Sequence, residues 1–152
     1  MMQLLKSLLQ SPDPSRRLTD NPPPPEVAVC ALLLEAAETD HDFTEDERRL
    51  IAGQIHAHFG LSDQEIVDLI AETQKMRVMA GDSWPFTHAI RRAYSPAQKK
   101  ELLVAIWRVL LSDKKLTAHE EQWARRLRDM IAVNQSTLME AKRMAAKPAK
   151  KG

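Results

Sequence analysis

Two short patterns in this 152-residue chain combine residue types that can do chemistry. Asp40 stands seven positions before Glu47, and Asp113 stands seven before Glu120. Around the first pair, Glu35, Glu38, Asp42, Glu45 and Asp46 bring the acids to seven within residues 35–47. Hard cations such as Ca²⁺ and Mg²⁺ take clustered carboxylate oxygens, so this acidic turn is a candidate for a weak divalent site. It is not an EF-hand loop: it is too short and has no glycine at the sharp turn. A structural reading competes with the chemical one. Thr44-x-x-Glu47, Thr117-x-x-Glu120 and Ser62-x-x-Glu65 all read as capping boxes, in which each glutamate accepts a backbone N–H at its own helix start. Acids there also complement the helix dipole. Capping explains the Thr and the Glu, and Asp40 and Asp113 can order the turns before them. Capping does not explain why Asp recurs at one fixed distance.

Other constellations are weaker. Glu38-x-x-His41 resembles half of a di-iron motif, but His41 falls in a turn and no second copy exists. His56 and His58 point to different sides of one helix, and His88 and His119 have no evident partner in the sequence. Nothing supports nucleophilic catalysis or nucleotide hydrolysis: there is no Ser/His/Asp or Cys/His arrangement and no glycine-rich phosphate loop. The chain reads as a non-enzyme. The single cysteine, Cys30, lies in the apolar run 27–34, where a buried inert thiol is expected, and it fits a reducing compartment.

The elements that position these residues are helices. Apolar periodicity predicts them over about 26–38, 45–58, from after Ser62 to about 79, from Ser83, from Ser95, over 118–131, and from near Gln135. On the first, Val27, Ala31 and Leu34 are expected to form the buried face. Pro96 follows the capping Ser95, as a helix start favours. No strand is expected. Residues 31–40 lie over 104–113 at a spacing of about 73, and after a one-residue slip Phe59-Gly60-Leu61-Ser62 lies over Ile131-Ala132-Val133-Asn134. The expected fold is all-α: a compact bundle of about seven helices formed from two related helical-hairpin units, about 26–74 and 95–146. Residues 1–25 read as an N-terminal segment with a proline-rich linker, Pro22 to Pro25 being a stiff extended stretch. Residues 147–152 read as a basic tail.

Twenty-two Lys and Arg against 21 Asp and Glu give a net charge of +1, which conceals a strong polarity. Residues 26–74 hold two bases and twelve acids, a net of −10; residues 75–152 hold seventeen bases and seven acids, a net of +10. An acidic face around residues 40–47 and a basic one on the helices after Ser95 are therefore expected. The basic doublets, such as Arg91-Arg92 and Arg125-Arg126, could meet phosphates. The seven aromatic residues are few for a stacking platform, so nucleic acid is a minor reading. No stretch reaches the length of a membrane span, and no signal peptide is legible; a cytoplasmic protein is expected.

The stretch ALLLEAAETDHDFTEDERRLIAGQIHAHFGLSDQEIVDLI (residues 31–70) resembles the TerB-like, tellurite resistance family. The match lies in the apolar helix ending at Asp40, the Glu47 seven residues on, and Phe-Gly-Leu-Ser. ELLVAIWRVLLSDKKLTAHEEQWARRLRDMIAV (residues 101–133) resembles the second unit, and Phe86-Thr87 with Tyr94 resembles the connection. The glycine that follows each family Asp is replaced here by His41 and Lys114. The resemblance implies an all-helical fold of two halves and a bacterial cytoplasmic protein linked to tellurite and stress resistance. It implies protein partners, some membrane-associated. It also implies divalent-metal binding (Ca, Mg, Mn or Zn) through Glu35, Asp40 and Glu47 in the first unit, and Asp113 and Glu120 in the second. No other cofactor is expected. The alternative expectation is a structural adaptor that docks a protein or membrane complex through its charged faces.

Overall fold

Local hydrogen-bonding chemistry sets most of the helix boundaries. The computed structural model describes residues 22–39, 43–112 and 115–147. These hold seven helices and no strand: α1 (Pro25–Ala37), α2 (Glu45–Phe59), α3 (Asp63–Ala80), α4 (Trp84–Ala93), α5 (Pro96–Leu110), α6 (Ala118–Met130) and α7 (Gln135–Ala146). The predicted boundaries agree to within a residue or so.

Reciprocal capping boxes open α2 at Thr44/Glu47, α3 at Ser62/Glu65 and α6 at Thr117/Glu120. A fourth, Ser95/Gln98, opens α5, where Pro96 is pre-set for the first turn. Gly60 ends α2 in the left-handed region at φ 66°, where a glycine bears no Cβ penalty. Ser83 stands at the N-cap of α4 but makes no side-chain cap bond. Asp82 does part of that work, its Oδ1 accepting the Trp84 N–H at 3.0 Å.

The core is organised around α1. The expected one-sided burial through Val27, Ala31 and Leu34 is corrected: Val27 to Leu34, Ala36 and Ala37 are all at most 1 % exposed. The helix packs against α2, α3, α4 and α5, so that only Pro25, Glu26 and Glu35 keep partial exposure. Its sequence, PEVAVCALLLEAA, is apolar all round, as a fully surrounded helix requires. The second buried helix, α5, packs against α1, α2 and α7. Trp107 of α5 is buried and donates its indole N–H to the Leu138 carbonyl at 3.1 Å, tying α5 to α7. Helix α4 bridges α1 and α6, and α6 also meets α7. No helix among the described residues is long and apolar enough to cross a membrane.

Candidate functional site

The two recurring glutamates sit alike in the structure. Glu47, in the first turn of α2, is 8 % exposed. Its Oε1 accepts the Thr44 N–H and the Thr44 hydroxyl, both at 3.0 Å, while its own N–H donates to Thr44 Oγ1 at 3.1 Å. Glu120, in the first turn of α6, is 3 % exposed; its Oε1 accepts the Thr117 N–H at 3.0 Å and its N–H donates to Thr117 Oγ1 at 3.1 Å. The capping role of both residues is therefore fully expressed. Asp40 and Asp113, the other halves of the two patterns, lie outside the described residues, as do His41 and Lys114.

Among the described residues, no group of three His, Cys, Asp or Glu side chains is placed to hold a metal ion. The divalent site implied by the resemblance is thus not assembled by Glu35, Glu47 and Glu120 alone. It would need Asp40 or Asp113 beside a glutamate that already serves its helix cap.

Glu35 has a different setting. It projects from α1 where two surface clefts adjoin, and both clefts are also lined by Ser83. The first, of about 280 Å³, runs between α1, α3 and α4 and includes Glu38, Arg77, Val78, Asp82 and Phe86. The second, of about 220 Å³, runs between α1, α4 and α6 and includes Leu32, Thr87, Trp123, Arg126 and Met130. The Glu35 carbonyl, near the end of α1, accepts the Thr39 hydroxyl at 3.0 Å. Its carboxylate has no hydrogen-bond or ion-pair partner among the described residues.

Beside it stands a network that sequence reasoning did not find. Glu38 Oε1 accepts from Arg77 at 3.0 Å and Glu38 Oε2 from Gln74 at 3.2 Å, and Arg77 also donates to Gln74 Oε1 at 2.7 Å. The i, i+3 spacing of Gln74 and Arg77 puts both on one face of α3. That spacing is the only signal the sequence offers, because Glu38 lies 36 and 39 positions away.

Two of the described histidines serve local structure. His56 Nδ1 lies 2.9 Å from the Leu61 carbonyl beyond the end of α2. His88, expected to lack a partner, stacks on Trp84 with ring centroids 4.5 Å apart and planes 12° from parallel.

The fold and these clefts define an all-α domain with a solvent-facing groove at one end of its central buried helix. The chain belongs to the tellurite resistance protein TerB family, whose profile matches residues 26–143. No curated protein and no solved structure matches the chain.

Proposed function

We propose that this TerB-family protein is a non-enzymatic interaction module, with weak divalent-cation binding at the acidic turn between α1 and α2. The observation that carries the interaction reading is the pair of clefts that adjoin at Glu35, bordered by exposed apolar side chains. Val78, 83 % exposed, lines the first cleft, and Trp84, 46 % exposed, directly follows the lining residue Ser83. Soluble domains leave large apolar side chains exposed together mainly where something covers them.

The cation reading rests on the acids at residues 35–47 and on family membership. Site residues for it are Asp40 and Glu47, with Glu35 contributing from α1; Asp113 and Glu120 are the corresponding pair in the second half. Asp40→Asn removes a carboxylate that belongs to no capping box. Neutralising Glu47 also weakens a helix cap, so the two variants need separate stability controls.

One experiment tests both arms. The chain is titrated with Ca²⁺, Mg²⁺, Mn²⁺ and Zn²⁺ while its backbone amides are followed by NMR. Affinity-tagged wild type and Asp40→Asn plus Glu47→Gln are then used to capture partners from cells. Millimolar cation is expected to move the amides of residues 40–47 in the wild type and not in the double variant. Unmoved amides remove the cation arm. Capture of nothing by wild-type chain above a tag-only control removes the interaction arm.

A further inference from the structure

The cleft between α1, α3 and α4 has a composition that selects its occupant. Its lining carries three carboxylates, Glu35, Glu38 and Asp82, against one guanidinium, Arg77. Arg77 is already paired with Glu38 at 3.0 Å. Asp82 gives one oxygen to the Trp84 N–H, and the Glu35 carboxylate has no partner among the described residues. The lining of this groove therefore carries more negative than positive charge, with Arg126 as the base of the adjoining cleft that shares Glu35. An anion is repelled from it.

Its shape and remaining walls narrow the cation further. A volume of about 280 Å³ lies at the lower edge of the range of ligand pockets and has room for one long side chain. Phe86 closes the floor of the groove but is only 2 % exposed, so the apolar surface open to an occupant is that of Val78, which is 83 % exposed. Trp84 follows Ser83, another lining residue, and is propped by the His88 ring. A hard metal ion gains nothing from these apolar groups, and no three acids here are placed as ligands. An arginine uses both features. Its planar guanidinium pairs with a carboxylate through two donors, and its methylenes lie along apolar surface. Tryptophan and arginine are also the residue types most enriched at interface hot spots.

We propose that this groove is the docking site for a partner protein segment that carries an arginine next to an apolar residue. The arginine enters beside Glu35, and the apolar neighbour covers Val78 and Trp84. The proposal rests on the interaction-module reading and names the surface and the partner chemistry within it.

The test uses the full chain and two blocked peptides, acetyl-Leu-Arg-Leu-amide and its citrulline counterpart, which keeps the shape and loses the charge. Amide shifts are followed by NMR in wild type, Glu35→Gln and Val78→Ser. Both substitutions leave the fold in place, because the Glu35 carboxylate bonds to nothing described and Val78 is exposed; equal thermal midpoints check this. The arginine peptide is expected to move amides of residues 74–87. The citrulline peptide, and Glu35→Gln with the arginine peptide, are expected to bind about tenfold more weakly, as losing one charged pair at an interface does. Val78→Ser is expected to weaken both peptides alike.

Unmoved amides at 74–87, equal binding of the two peptides, or unchanged binding by Glu35→Gln each overturn the proposal. Ca²⁺ moving the same amides and displacing the peptide also overturns it, since the groove is then a metal site. These failures are separable from failure of the broader reading. A partner captured equally by wild type and Glu35→Gln leaves the interaction module standing with its surface elsewhere.

Discussion

At the residue scale, Cys30 illustrates how completely the core sets the chemistry of a side chain. Burial pushes its thiol from 9.0 up to about 12, and the nearby Thr73 hydroxyl and Arg77 and Arg48 charges offset only part of that. Thr73 Oγ1 is itself buried with no hydrogen-bond partner at ordinary distance among the described residues, so its interaction with the thiol is a loose one. A thiol is neutral when protonated. Between 9.0 and about 12 the folded chain keeps this proton while the unfolded chain loses it. The folded state then binds more protons, so stability falls as pH rises through that window and is fully retained below it. Tyr94, raised from 10.0 to about 12 chiefly by burial and then by Glu26 and Glu101, acts in the same direction. Urea midpoints measured from neutral pH upward are expected to drop at alkaline pH, with a shallower drop in Cys30→Ala. An equal drop in both proteins would remove Cys30 as a cause. A single apolar run in the sequence was enough to foresee an inert thiol. The loose contact of Thr73 with that thiol depends on α3 crossing α1, which no local pattern encodes.

At the element scale, helix starts are local and helix ends are less so. Each of the three Ser/Thr-x-x-Glu patterns becomes a reciprocal cap because all of its hydrogen bonds close within four residues. The position after α2 and the position after Ile131, superposed once the 73-residue spacing slips by one residue, share a left-handed backbone. Gly60 has φ 66° and Ala132 has φ 62°, the one described non-glycine residue with positive φ. In the left-handed region an L-residue bears a Cβ clash of about 1–2 kcal/mol, part of which glycine gives back as unfolded-state entropy. Ala132→Gly is therefore expected to stabilise the protein by about 0.5–1 kcal/mol, read as a higher urea midpoint at unchanged slope. A lower midpoint would show that Ala132 bears no net strain there. Ser83 marks the limit of such reasoning. It occupies the cap position but bonds nothing there, and Asp82, one residue earlier, serves Trp84 instead.

At the scale of the whole molecule, two of the described ion pairs join the basic segment to the acidic one, Lys75–Glu72 within α3 being the local one. Arg77–Glu38 joins the basic segment to the acidic one across α3 and α1. Lys100–Glu140, at 2.5 Å, links α5 to α7 within the basic segment, and Arg49–Asp46, Arg125–Glu121 and Arg128–Asp129 are contacts within one helix. The Arg77–Glu38 pair is the more sheltered kind, its side chains 20 % and 33 % exposed, and it shares Gln74. A double-mutant cycle on Glu38→Gln and Arg77→Gln is expected to give a coupling of about 1 kcal/mol that persists at high salt, at the upper end for surface pairs. A coupling near zero would reduce the network to surface geometry without energetic weight.

What the sequence determined by itself was the class of fold, the seven helices and three of the four capping boxes. Those follow from propensity, periodicity and hydrogen bonds that span a few residues. It also marked Glu47 and Glu120 as special, because their spacing to Thr44 and Thr117 is local. Only the tertiary structure decided that every apolar residue of α1 from Val27 on is buried, because those residues face four other helices whose approach no single helix specifies. Likewise only packing brought Glu38 to Gln74 and Arg77, and left Glu35 unpaired at the junction of two clefts. Such meetings join residues nearly forty positions apart, and they exist only once the helices that carry them have found one another.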